Sequence, residues 1–172
     1  MTDPQLGVFG DVNVLIDAFV FQHGDDQPLT FEATEFTYTG NPTVVFMMFV
    51  QSGDLVNEQR VALHTSQRCI TLMTAKLIDN YGWSPEAARL AAIRVINLVK
   101  SSGGMVCRDA DVGGVQSDFG IGDQEDQHRL AEARRCDSTI FLTNDKDLLD
   151  LSMTDPLVMT PRAFIDRSRR SS

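Results

Sequence analysis

Long apolar runs, basic charge and cysteine are all scarce in this 172-residue chain. No uninterrupted apolar stretch approaches the ~20 residues that cross a bilayer. Residues 1–4 (MTDP) lack the basic-then-apolar pattern of a secretory signal. A cytoplasmic protein without a membrane partner is therefore expected. Lys and Arg number 15 against 24 Asp and Glu, a net charge of −9, so overall charge does not grip nucleic acid. A nucleic-acid enzyme is still allowed, because a bound divalent cation inverts the sign of a local acidic site. Cys69, Cys107 and Cys136 form no CxxC and have no nearby His pair; they read as reduced, buried thiols rather than a metal or redox centre. Hydrophobic residues make up 42% and charged residues 23%, the balance of a folded globule. The length suits a single domain over residues 1–172.

What is present is an alternation. Residues 6–10 (LGVFG) form a short apolar run that ends at Asp11. Residues 21–40 are polar, Thr- and acid-rich, and read as an inserted loop or loose hairpin. Asn41-Pro42 marks a helix start, a capping side chain followed by the residue suited to the first helical position. That helix carries residues 44–50 (VVFMMFV), apolar all round, and stops at Gly53. It reads as core, with a partner-binding face as the alternative. Residues 60–65 (RVALHT) suggest a buried strand, and Ser66 caps a helix whose Cys69, Ile70, Met73 and Leu77 share one face. Trp83 is placed to staple the start of a helix at Ser84-Pro85. In that helix Glu86, Arg89, Arg94, Asn97 and Lys100 fall on a polar side, leaving Leu90, Ile93, Ile96 and Val99 for the core. A short strand at 105–108, a Gly- and Asp-rich loop at 109–122 and a helix from 123–126 follow. Then come a strand at 138–143 (STIFLT), a turn of helix at 145–151 and a last strand at 157–160. The C-terminal Arg162, Arg167, Arg169 and Arg170 read as a solvated tail, with RNA phosphate contact as the alternative. Strands alternating with helices predict an α/β fold: three layers, a central, mainly parallel sheet between helices.

In such a sheet ligands bind at the carboxyl edge. Asp11 closes the first strand and lies there. From Asp126, which opens a helix, about ten helical residues descend ~15 Å. About five strand residues then climb ~16 Å back to the same edge, at Asn144-Asp145. Three acids remote in sequence (Asp11, Asp126, Asp145) are thus expected together. Asp at strand ends and helix starts is also an ordinary capping residue, so the expectation rests on the three jointly. Clustered carboxylates repel, and Mg²⁺ or Mn²⁺ removes that conflict while activating water against a phosphodiester.

These residues also carry a resemblance. Residues 8–15 (VFGDVNVL) resemble the opening strand and Asp-x-Asn of PIN-domain nucleases. Residues 123–133 (DQEDQHRLAEA) resemble their third acidic motif, and residues 142–149 (LTNDKDLL) their Thr-x-Asp motif. Residues 160–165 (TPRAFI) and the Gly40-Asn41-Pro42 helix start fit too, most like the VapC-type toxin branch. The resemblance implies a PIN-like fold and metal-dependent hydrolysis of RNA, with Asp11, Asp126 and Asp145 as metal-binding catalytic residues. It implies that Asn13 orients the site, that Thr143 hydrogen-bonds within it, and that Asp123 or Asp147 acts as an outer acid. It further implies an antitoxin partner and a homodimer.

One departure stands out. The family's Glu on the helix after the second strand has no counterpart: the matching place is Thr71 or Leu72, and no acid occurs between Glu58 and Asp79. His64, Thr65, Ser66 or an acid of the insertion (Asp25, Asp26, Glu32, Glu35) are the candidate substitutes. The missing Glu motivates a second reading, a degenerate PIN-like scaffold that binds RNA or protein without cutting. A phosphoryl-transfer domain of receiver type is a third, poorly served by Lys146 directly beside Asp145. His128 reads as a helix-surface residue.

Overall fold

The chain is described here from a computed structural model over residues 4–24, 27, 36–108 and 123–170, without the side chain at 170. Gln5–Gly10 (β1) is the hinge of the architecture. Its residues Val8 and Phe9 are adjacent, point to opposite faces of the pleat, and are both fully buried. Phe141 and Leu142 of Ile140–Leu142 (β5) repeat this pattern. The sheet is therefore covered on both faces, consistent with a three-layer α/β fold. Gln59–Ser66 (β3) lies parallel to β1 on one side, β5 parallel on the other, and Leu157–Met159 (β6) parallel beyond β5. The antiparallel Leu55–Val56 (β2) pairs one end of β3, and Val106–Cys107 (β4) pairs its other end in parallel. Among the described residues the sheet is thus mixed, mostly parallel and six-stranded, in the order β2-β3-β1-β5-β6 with β4 on β3.

Helix starts follow the cap chemistry. Val12–His23 (α1) is capped by Asp11, Pro42–Ser52 (α2) by Asn41, and Gln67–Asp79 (α3) by Ser66. Pro85–Ser101 (α4) is capped by Ser84, Gln124–Arg135 (α5) by Asp123, and Lys146–Asp150 (α6) by Asp145. Pro161–Arg170 (α7) follows β6. At the end of α2, Gly53 takes φ 71, a left-handed cap that an L side chain resists. Among the described residues no helix is long and apolar enough to cross a membrane.

Three expectations need correction. First, α1 runs through His23, so the start of the expected insertion is helical; Phe36 at its far end is buried, its backbone clamped in both directions by the Gln51 amide. Second, α4 is turned about its axis relative to the expected face. Ala87, Ala88, Ala91, Arg94, Val95, Leu98 and Val99 are buried, while Leu90, Ile93 and Ile96 are half-buried. Alanines let α4 approach its neighbours closely, and Arg94 is tolerated inside because it donates to Gln51 Oε1. Third, residues 161–170 are a packed helix and not a tail: Phe164 meets Phe46 of α2 edge-on at 5.4 Å and both are buried. Arg162, Arg167 and Arg169 are exposed on it. The hairpin of β2 with β3, turned through Asn57 and Glu58 at φ 50 and 63, is an element not expected from the sequence. The loop at 109–122 lies outside the described residues. Trp83 packs edge-on to Phe19 and His23 of α1, so it anchors the start of α4. In α2, Val44, Phe46, Met47 and Val50 are buried, which favours the core reading of that helix. All three cysteines are buried and none forms a disulfide.

Candidate active site

Strand register assembles the centre of the site. Gly10 pairs with Leu142, and the Asp11 amide donates to the Leu142 carbonyl at 3.0 Å, so residues 11 and 143 leave the sheet side by side. This is the carboxyl edge at the point where the chain order reverses across β1, the expected crevice of an open parallel sheet. Thr143 is fully buried and links the two strand ends. Its hydroxyl donates to Asp11 Oδ2 at 2.8 Å and accepts from the Asp145 amide at 3.0 Å. Asp145 is half-buried and caps α6 by accepting from the Asp147 amide at 3.0 Å.

Asp11 is fully buried, and both its oxygens are engaged. Oδ1 accepts from the Val12 amide at 2.7 Å and from Arg129 Nη1 at 3.0 Å; Oδ2 accepts from Thr143 and from the same Nη1 at 3.3 Å. The other arm of that guanidinium, Nη2, donates to Asp126 Oδ1, one turn earlier on α5. Burial is the largest influence on Asp126 and pushes its carboxyl up. Arg129 opposes that rise, while repulsion from Asp123, Asp145 and Asp11 adds to it. Arg129 itself is held above its ordinary value: burial works against its charge, and the Asp11 and Asp126 carboxylates outweigh it. The three aspartates expected at one edge thus interact there, with an arginine between two of them.

The supporting residues divide. Thr143 sits inside the cluster, as expected. Asp123 is exposed, caps α5 through the Glu125 amide at 2.7 Å, and reaches Asp126 only through its field. Asp147 is exposed and offers Asp145 its backbone amide. Asn13 lines a neighbouring open depression of about 290 Å³ with Lys76, Tyr81 and Asn144. A second depression of about 390 Å³, lined by Phe21, Thr160 and Arg162, shares Asp17 and Asn144 with the first. Those two side chains are joined by a hydrogen bond of 2.6 Å, and burial pushes the Asp17 carboxyl up against that bond.

Three buried groups at the site were not anticipated: Arg129, Glu132 and the placement of Cys69. The signal for Arg129 was its spacing, three residues after Asp126, which puts both on one helix face. Glu132 is fully buried on α5 and pairs with His128 Nε2 at 3.3 Å, so His128 has a partner beneath it. On α3 the resemblance to PIN-domain nucleases would put a Glu at Thr71 or Leu72. The structure instead exposes Thr71, whose hydroxyl donates to the Gln67 carbonyl at 3.0 Å, and leaves Leu72 against the core. It is Cys69 that lies within the field of Asp11. Burial chiefly, then Asp11, pushes its thiol up to about 12, so it is a neutral S–H and no nucleophile. The candidate substitutes hold the scaffold: His64 Nδ1 accepts from the Met105 amide, Thr65 donates to the Gly10 carbonyl, and Ser66 caps α3. Asp25, Asp26, Glu32 and Glu35 lie outside the described residues.

The donor set suits a hard divalent cation, since carboxylate oxygens are what Mg²⁺ and Mn²⁺ take. With Arg129 between Asp11 and Asp126, however, no three His, Cys, Asp or Glu side chains among the described residues are grouped to share one ion. Comparison with family models, with curated proteins and with solved structures finds no match to this chain.

Proposed function

We propose that this chain is a metal-dependent endoribonuclease of PIN-like architecture. What supports the reading is the convergence of Asp11, Asp126 and Asp145 on the carboxyl edge, linked through Thr143 and Arg129. Asp11, Asp126 and Asp145 would hold the ion. Mg²⁺ or Mn²⁺ supplies Lewis acidity toward a phosphodiester and a nucleophile from water at neutral pH. Thr143 fixes the orientation of Asp11 and, through the Asp145 amide, the start of α6. The paired depressions beside the acids present Lys76 and Arg162 to phosphates and the half-exposed Tyr81 and Phe21 to bases. Exposed aromatics beside cations are what a single strand stacks on.

Cleavage of a labelled single-stranded RNA with Mn²⁺ tests this. The wild type should cut, and Asp11→Asn and Asp145→Asn should each lose at least ~100-fold in rate. Equal cleavage by all three proteins rejects the assignment. Arg129 is the observation that favours the second reading, a PIN-like scaffold that binds without cutting. On that reading calorimetry finds no Mn²⁺ binding that Asp126→Asn abolishes.

A further inference from the structure

We infer that the Arg129 guanidinium is a built-in competitor for the cation position: it closes the acidic edge and must withdraw when a divalent ion is taken up. The inference rests on the metal-dependent reading above and adds to it a control over occupancy.

The geometry is that of a bridge. One planar group places Nη1 against both oxygens of Asp11, at 3.0 and 3.3 Å, and Nη2 against Asp126, so it fills the space the two carboxylates share. An ion taken up by both acids would compete with the guanidinium for those same oxygens. A carboxylate offers about four acceptor positions. Those of Asp11 are taken by the Val12 amide, the Thr143 hydroxyl and the two Arg129 contacts. Withdrawal of the arginine frees an acceptor position on each Asp11 oxygen and one on Asp126 in a single movement. Arginine does not lose its proton in proteins, so it can yield the position only by moving.

Two further features favour displacement over a permanent structural pair. Arg129 Nε is buried without a hydrogen-bond partner among the described residues, so the group is held by its two carboxylates and not locked on its remaining side. Its side chain is 11% exposed, which leaves a solvent-facing direction for withdrawal. Whichever cation is present, Asp11 stays compensated, and this explains how a fully buried carboxylate persists at the edge.

Replacement of Arg129 by Met keeps an apolar stem of similar length and removes the competing charge. Titration calorimetry with Mn²⁺ on wild type, Arg129→Met and Asp126→Asn is the test, read together with melting temperature in EDTA and in Mn²⁺. A position nine-tenths occupied by the arginine weakens apparent ion affinity about 10-fold, so Arg129→Met should bind Mn²⁺ at least ~10-fold more tightly than the wild type. It should also melt lower than the wild type in EDTA and gain more from Mn²⁺. Wild-type binding that is lost in Asp126→Asn, with Arg129→Met no tighter than wild type, overturns the competitor and leaves the metal reading intact. Absence of Mn²⁺ binding in both wild type and Arg129→Met removes both. Should Arg129→Met not fold, ¹⁵N spectra of the wild type during Mg²⁺ titration decide. The Arg129 Nε–H signal, identified by its loss in Arg129→Lys, should shift as the ion binds, and an unmoved signal at saturation overturns the inference.

Discussion

Thr143→Val puts a number on the link that draws the acids together. Valine keeps the shape of the side chain and removes only the hydroxyl, so no cavity opens. Two hydrogen bonds disappear: the 2.8 Å donation to Asp11 Oδ2 and the 3.0 Å acceptance from the Asp145 amide. The first serves a fully buried charge and the second a backbone donor at a helix start. Bonds to charged groups contribute ~1.5–3 kcal/mol and neutral ones ~0.5–1.5 kcal/mol, so the variant should lose about 2–4 kcal/mol. With an m-value of about 2 kcal/mol per molar urea, the midpoint at neutral pH should fall by roughly 1–2 M at unchanged m. Thr143→Ser, which keeps the hydroxyl, should retain most of that. A double-mutant cycle with Asp11→Asn isolates the charge-assisted bond, and the coupling should exceed ~0.5 kcal/mol. Strict additivity, or a Thr143→Val midpoint within error of the wild type, refutes the claim that this hydroxyl holds the edge together.

Two further outcomes follow from the packing and from a buried imidazole. Phe164→Ala should cost about 3–5 kcal/mol by removing a buried ring from its contact with Phe46, whereas a solvated C-terminal tail predicts no change in melting temperature. His64 is held below its ordinary 6.5 by burial, with the opposing charge of Asp137 too weak to restore it. Between the folded value and 6.5 the unfolded chain binds the extra proton, so His64's stabilisation is whole above that window and is lost as pH falls through it. Urea midpoints at about pH 7.5 and about pH 5 should therefore fall further apart in the wild type than in His64→Asn, whose Oδ1 can still accept from the Met105 amide. Equal acid sensitivity in the two proteins counts against it.

Much of the frame could be read from the residues. Asn41-Pro42, Ser66 and Ser84-Pro85 announce helix starts because the side chain that caps is local to the helix it starts. Asp11 is legible as the end of the first strand, and Asp145 from the rise per residue counted from Asp126, since helix and strand return the chain to the edge it left. What escaped was decided by partners remote in sequence. Arg94 falls on the polar side of α4 by spacing, and only Gln51 of α2, remote in sequence, draws it inside. Arg129 looked like one more charge on a polar helix, because nothing near it in sequence says that Asp11 lies opposite. The spacing of Cys69 with Ile70, Met73 and Leu77 puts it on the core face of α3, which it joins; that the same face borders Asp11 depends on how α3 meets β1. The β2 hairpin rests on two residue pairs, too few for any periodicity to register.

Strand β3 has a further consequence for how copies of this chain behave in company. Its flank away from β1 is exposed to strand addition only between the short ladders with β2 and β4. In that gap the Leu63 amide is already met by the Ser102 hydroxyl at 3.0 Å. Gly104 lies so close that a Cβ there would stand 1.7 Å from the Leu63 carbonyl oxygen. A loop thus plugs the opening with one hydroxyl and one bare backbone. An incoming strand finds no free donor and no room at Leu63, so strand addition is blocked at that point of β3.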